Sequence, residues 1–143
     1  MATPVVPTSS TSRRKETNAA RQLRVLFVDD EPLTRDVFGV YLKTVGVDVT
    51  LASDGAEALR IARQARPHVI VLDLRMPGDL DGYQVIRALR ASRDTGSIPI
   101  LLFTGAIGAE AGPASDRGAD AVVRKPCAPS VLLTAIRRFG GRA

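Results

Sequence analysis

Apolar and polar positions in this chain fall into short apolar runs that alternate with stretches of helical period. Residues 23–28 (LRVLFV) read as a buried strand that ends in Asp29-Asp30-Glu31. Pro32 follows at a natural first helical position, and Leu33, Val37, Val40, Tyr41 and Val45 recur at helical spacing until Gly46 closes the helix. Residues 47–51 make a second strand. Ser53 or Asp54 caps a second helix whose apolar side is Ala58, Leu59, Ile61, Ala62 and Ala65, and Pro67 ends it. Residues 69–72 are an unbroken run of Val, Ile, Val and Leu, the signature of a strand covered on both faces. A third helix carries Tyr83, Val85, Ile86 and Leu89; residues 98–103 and 119–124 are the fourth and fifth strands. The segment after Thr104 holds Gly105, Gly108, Gly112 and Pro113, so any helix there is short or broken. A last helix uses Leu132, Leu133, Ile136 and Phe139. Strand alternating with helix at this spacing predicts an α/β fold: a doubly wound, five-stranded parallel sheet of order 2-1-3-4-5.

Composition narrows the function. The 143 residues are one domain in size. Residues 1–22, rich in Ser, Thr, Pro and Ala, are expected to be a disordered tail, 23–139 the folded domain and 140–143 a second tail. With no Trp and 4% aromatics, a platform for stacking bases is not expected. A single cysteine, Cys127, excludes an internal disulfide and fits a reducing compartment, and no secretory signal or membrane-length apolar run is present, so a cytoplasmic protein is expected. The net charge of +5 suggests nucleic acid at first sight. In the tail, however, Arg13, Arg14, Lys15 and Arg21 against Glu16 already supply +3. Of the remaining arginines, Arg60, Arg63, Arg66, Arg87, Arg90, Arg93, Arg137 and Arg138 fall mostly on expected solvent faces, so nucleic acid is not expected as a partner.

The candidate chemistry stands at the strand ends, where open α/β sheets place their ligands. Strand one offers Asp29 and Asp30, strand three Asp73, strand four Thr104 and strand five Lys125. In the expected order the first and third strands are neighbours, which brings three carboxylates into one crevice. Carboxylates ~4 Å apart repel by about 4 kcal/mol at an effective dielectric near 20, so the arrangement calls for a counter-ion. All-oxygen ligands at a partly open site favour Mg²⁺ or Mn²⁺. Thr104 and Lys125 across from them supply a hydroxyl donor and a positive charge. Together these groups describe phosphoryl transfer to a carboxylate. A flavodoxin-type ligand site would instead need a phosphate-cradling loop where Asp29-Asp30-Glu31-Pro32 repels phosphate.

Taken as an ordered set, Val28-Asp29-Asp30-Glu31-Pro32, Leu72-Asp73-Leu74-Arg75-Met76-Pro77, Asp81-Gly82, Thr104-Gly105, Gly118-Ala119-Asp120 and Lys125-Pro126 resemble the receiver domain of bacterial two-component response regulators. The resemblance covers residues 23–139 and implies the flavodoxin-like receiver fold. It implies that Asp73 accepts a phosphoryl group from a phosphohistidine on a sensor histidine kinase or histidine phosphotransfer protein, and that the acyl phosphate hydrolyses slowly. By the same resemblance Mg²⁺ is held by Asp29, Asp30, Asp73 and the backbone carbonyl of Arg75, while Thr104 and Lys125 contact phosphoryl oxygens and Lys125-Pro126 is cis.

Against the family pattern, the loop after Asp73 carries one extra residue, which should bulge and displace the start of the third helix. Val122 stands where Tyr or Phe is usual, and Cys127 where Phe often follows Lys-Pro. These departures keep a second expectation in play: a receiver-like interaction module with weak or no phosphorylation. Cys127 reads as a small buried apolar residue and His68 as a strand-entry residue. Residues 140–143 cannot form an output domain, which points to a stand-alone receiver or a piece of a longer protein, signalling through an unidentified protein target and not through a membrane.

Overall fold

The computed structural model describes residues 22–76, 78–105 and 118–141. Nine elements follow one another among these residues: β1 (Arg24–Val28), α1 (Pro32–Thr44), β2 (Asp48–Ala52), α2 (Gly55–Ala65), β3 (Val69–Leu72), α3 (Gly82–Ala91), β4 (Ile100–Thr104), β5 (Ala121–Arg124) and α4 (Pro129–Gly140). The strands form one sheet in the order β2-β1-β3-β4-β5, every pair parallel. This is the expected flavodoxin-like arrangement. Residues 106–117, where the sequence predicts a short or broken helix, lie outside the described residues, as do residues 1–21.

Each central strand feeds two cores because successive side chains point to opposite faces. Leu26, Val28, Ile70, Leu72, Ile100 and Leu102 meet Ala58 and Ala62 of α2 and Val85, Ile86 and Leu89 of α3. On the other face Val25, Phe27, Val71, Leu101 and Phe103 meet Phe38 and Leu42 of α1 and Leu132, Leu133 and Ile136 of α4. The rings of Phe27, Phe38 and Phe103 pack together, with Phe38 edge-on to Phe103 at 5.0 Å between centroids. β3 and β4 are buried throughout, whereas β5, at the sheet edge, is only half-buried.

Helix α1 departs from the simple reading of its apolar period. Glu31 caps it, accepting from the Leu33 N–H, and Pro32 starts it. Its core face is Phe38, Gly39 and Leu42. Leu33, Val37 and Val40 recur four and three residues apart but stand 67%, 47% and 65% exposed. At 3.6 residues per turn this trio lies roughly a third of a turn or more away from Phe38 and Leu42. The helix therefore has two apolar faces, and the sheet takes only one.

A second correction concerns Arg90, expected on a solvent face. Its Nε and Nη2 donate to the Gly118 carbonyl at 3.0 and 2.8 Å, its Nη1 to the Gly96 and Ile98 carbonyls, and its Nη2 to Asp120 Oδ2. All five guanidinium N–H donors are engaged. Asp120 Oδ2 also accepts from the Ile100 N–H at 2.8 Å, so the pair ties the end of α3 to the feet of β4 and β5. Arg90→Ala is expected to cost about 2–3 kcal/mol, because water repairs only part of the loss at this half-buried site. Arg90→Lys should rescue little, lacking the planar fork. Urea midpoints of the three proteins check both statements.

At the same edge, His68 Nδ1 accepts from the Arg24 N–H at 2.9 Å. Burial, then the Arg24 charge, hold the imidazole below its ordinary pKa. A base with a depressed folded pKa contributes stability that is complete above its unfolded value, about 6.5, and is lost as pH falls through the folded one. His68→Asn keeps an acceptor without a titration. From about pH 7 to about pH 5 the wild-type chain should therefore lose stability relative to this variant, read as the difference in Tm.

Charge is sorted along the strand direction. Helix caps at the carboxyl ends of the strands are Glu31, Asp54 and Asp81, and the last helical turns at the opposite edge hold Lys43, Arg63, Arg90, Arg137 and Arg138. Each sign sits at the helix end whose partial charge it complements.

Candidate functional site

β1 and β3 are adjacent with Val28 opposite Leu72, so the residues that follow them, Asp29 and Asp73, emerge side by side. The Asp73 N–H donates to the Val28 carbonyl at 3.0 Å and the Asp29 N–H to the Ala52 carbonyl at 3.1 Å, which fixes both backbones. Asp29 is fully buried, Asp73 is 7% exposed and Asp30 faces solvent. One carboxylate oxygen from each of the three lies within 4.8 Å of the others. Lys125, just past the end of β5, brings Nζ to 2.6 Å from Asp29 Oδ2 and 3.3 Å from Asp73 Oδ2. Thr104 ends β4 and is buried, its carbonyl accepting from the Lys125 N–H at 3.0 Å. The Lys125-Pro126 bond is cis.

Local sequence explains how these groups are held. Asp29 Oδ1 accepts from the Glu31 N–H at 2.9 Å, and Arg35 Nη1 donates to the Asp29 carbonyl at 2.7 Å. Asp73 Oδ1 accepts from the Arg75 N–H at 3.3 Å, while the Arg75 residue itself is exposed. α3 begins at a residue that must be glycine. A Cβ on Gly82 would lie 2.7 Å from the Asp73 carbonyl oxygen and from Leu74 Cα, and the Gly82 N–H donates to the Leu74 carbonyl at 2.8 Å. Asp81 and Gln84 close a capping box over this start. Upstream in this loop, Gly78 (φ +93°) and Asp79 are exposed. The start of α3 is pressed against the backbone of Asp73 and Leu74.

The electrostatics follow from this crowding. Burial raises the pKa of Asp73; the Lys125 charge opposes that shift and Asp29 adds to it, leaving the carboxyl above its ordinary range. For Lys125, burial favours the neutral amine. The hydrogen bond to Asp29 and the charges of Asp73 and Asp29 outweigh it, so the ammonium is held above its usual value. An octahedral Mg²⁺ with oxygens at about 2.1 Å sets its ligands roughly 3 to 4 Å apart. The three carboxylates, within 4.8 Å of one another, need only a small closing movement to reach that spacing, and one of them faces solvent. The donor set is all oxygen, which suits the same ion.

The structure thus gathers Asp29, Asp30, Asp73 and Lys125 into one crevice, with Thr104 at the neighbouring strand end. What the sequence did not foretell is the reach of Lys125 to Asp29; the repulsion between adjacent acids was the available signal, and the lysine answers part of it. Val122 is half-buried against the core on the α2–α3 side, and Cys127 half-buried against the core on the α1–α4 side. Burial pushes the Cys127 thiol up, away from the reactive thiolate. Among the described residues no helix is long and apolar enough to cross a membrane.

Residues 25–137 match the sequence profile of the response regulator receiver domain. The chain belongs to this family. The DNA-binding response regulator MtrA of Mycolicibacterium smegmatis is 36% identical over 121 residues, covering 80% of this chain and 49% of that protein. The response regulator MprA of Mycobacterium leprae is 40% identical over 116 residues, with 80% and 50% covered. The chain therefore spans about half the length of the curated relatives it matches. Among solved structures, the chemotaxis response regulator CheY4 of Vibrio cholerae superposes with a TM-score of 0.76 at 33% identity, over 82% of this chain and 98% of that one. The receiver domain of a sensor histidine kinase from Pseudomonas aeruginosa, described with a magnesium ion in its active site cleft, gives 0.77 at 30% identity, over 84% and 98%. This receiver domain accordingly belongs to two-component signalling.

Proposed function

We propose that this receiver accepts a phosphoryl group on Asp73 from a phosphohistidine of a sensor histidine kinase or histidine phosphotransfer protein, and later loses it by slow hydrolysis. The observation that carries the reading is the crevice itself: a nearly buried carboxylate at a strand end, 3.3 Å from the Lys125 ammonium and close to two further acids. A carboxylate oxygen of Asp73 forms the new P–O bond while the P–N bond to the donor imidazole breaks and the electron pair leaves on nitrogen. Lys125 already bonds Asp73 and can follow the phosphoryl oxygens without leaving the crevice. The Thr104 hydroxyl is assigned to a second phosphoryl oxygen. Asp29, Asp30, Asp73 and the Arg75 carbonyl are the ligands proposed for Mg²⁺. Bound there, the ion would supply the positive charge that lets a phosphoryl group approach three carboxylates.

Gly140, expected in the last tail, is instead the buried final residue of α4; residues 23–139 are assigned as the functional unit, in the cytoplasm. Its output is a changed protein contact, on the surface made by the segment after Thr104, β5 and α4; residues 106–117 of that surface lie outside the described set. Nucleic acid is not assigned to this unit, although MtrA is named as DNA-binding.

Acetyl phosphate with Mg²⁺ tests the reading without any partner. The expected result is a mass gain of one phosphoryl group, acid-stable, base-labile and mapped to Asp73. No gain over a wide range of acetyl phosphate would leave the inert interaction module in its place.

A further inference from the structure

Helix α1 carries a second apolar face on the side away from the sheet. Its core face is Phe38, Gly39 and Leu42, and the residues centred opposite them are Leu33, Val37, Val40 and Thr44. These four are exposed and stand 4, 3 and 4 residues apart, the spacing that lets two helices interlock side by side. The Thr44 hydroxyl donates to the Val40 carbonyl at 2.8 Å, so it brings no unmet donor to this seam. Among the described residues the exposed large apolar side chains are Leu33, Val37, Val40 and Val131 of α4, and α1 and α4 cover the same face of the sheet. A single exposed leucine or valine is ordinary, but a row of three on one helix marks a docking surface.

The charges beside the seam select what docks there. Asp36 and Lys43, seven residues apart, share one flank of it; Thr34 and Tyr41 share the other. Asp36 and Lys43 are both exposed, and among the described residues neither side chain pairs with an opposite charge. When a two-fold axis relates two facing helices, parallel packing sets each flank against the opposite flank, whereas antiparallel packing sets it against itself. Only the antiparallel pair therefore matches charge, with Asp36 of each copy meeting Lys43 of the other. Stacking Leu33 on Thr44 and Val37 on Val40 leaves Asp36 and the other copy's Lys43 about 3 Å apart along the axis, within a lysine's reach.

We propose that two copies of this chain pair through α1, antiparallel and two-fold symmetric, with Leu33, Val37 and Val40 in the seam and two Asp36–Lys43 contacts along one side. One helix on each side buries less than the roughly 1,200 Å² of stable complexes, so the pairing is reversible and populated only at high concentration. It stands whether or not Asp73 accepts a phosphoryl group, and its test uses none.

Sedimentation equilibrium of the full chain in reducing buffer, from micromolar to millimolar concentration, reads the association. Asp36, Val37 and Lys43 are exposed, so substitutions there leave both cores intact. Val37→Glu, at the centre of the seam, should abolish pairing. Asp36→Lys and Lys43→Glu should each weaken it by roughly tenfold, because the symmetry repeats the lost contact. Mixed together, these two variants should associate as tightly as the wild type, since each supplies the charge that the other lacks. A wild-type chain still monomeric at millimolar concentration would overturn the proposal and leave the face to a different protein. Association that survives Val37→Glu would overturn it by placing the contact elsewhere on the surface. A mixture that pairs no more tightly than its separate variants would refute the antiparallel register.

Discussion

Asp73→Asn is expected to end phosphoryl uptake from acetyl phosphate and to leave the fold in place. The amide keeps the shape of the carboxylate and can still accept the Arg75 N–H, while Lys125 keeps its 2.6 Å contact with Asp29. What disappears is the nucleophile. The same variant carries a stability signature. In metal-free protein, burial raises the Asp73 pKa, Lys125 offsets part of the shift and Asp29 adds to it. A carboxyl whose folded pKa is raised contributes stability below its unfolded value and loses it as pH rises through the folded one. Relative to the Asn variant, wild-type Tm in EDTA should therefore fall as pH rises through that window, so that the variant melts higher at neutral pH. Phosphate incorporation that persists in Asp73→Asn, mapped to another residue, would remove Asp73 from its assigned role.

Lys125→Ala is expected to have the larger effect on the fold. Its removal leaves Asp29, 1% exposed at its side chain, and Asp73 facing each other without a cation. Breaking a buried pair by deleting one partner costs ~3–5 kcal/mol; the lower end applies because the lysine is a quarter exposed. The variant also strips the ammonium from over the Phe103 ring, 5.1 Å from its centroid. A cation bound by the native state stabilises it by mass action. Millimolar Mg²⁺ should therefore restore more stability to Lys125→Ala than it adds to the wild type, measured as the shift in urea midpoint against EDTA. Phosphoryl uptake should fall as well, since one contact to the transferring group is gone. Equal shifts in the two proteins would mean that the three aspartates do not share a cation.

Sheet order and site were readable from a few residues because each local signal agreed with the fold. The run Val69 to Leu72 could only be a strand covered on both faces, and an acid directly after it had to stand at the sheet's carboxyl edge. Asp29 and Asp30 after β1 repeat the argument, and adjacency of β1 and β3 does the rest. Helix α1 was harder. Leu33, Val37 and Val40 satisfy a helical period as well as Phe38 and Leu42 do, and period alone does not say which face the sheet takes. Arg90 was misplaced for a related reason. An arginine in a helix reads as solvent-facing, whereas its partners are backbone carbonyls of Gly96, Ile98 and Gly118, which carry no trace in a sequence. Gly82 is an intermediate case: the Asp81-Gly82 pair signals a helix start, but the 2.7 Å approach that forbids a Cβ exists only once α3 is docked.

The sorting of acids to one edge of the sheet and arginines to the other makes the molecule an electric dipole, with consequences that its net charge of +5 conceals. A sphere of that charge would be drawn to anions from every side. This molecule instead experiences a torque in the field of a charged neighbour and turns before it touches. A basic surface approaching within about a Debye length, roughly 10 Å in 0.1 M salt, meets the edge that holds Asp73 more often than chance allows. Added salt shortens that range and returns the encounters to random orientation. Its association rates therefore depend on where the charge sits, and a basic partner can match the acidic edge while the protein as a whole is cationic.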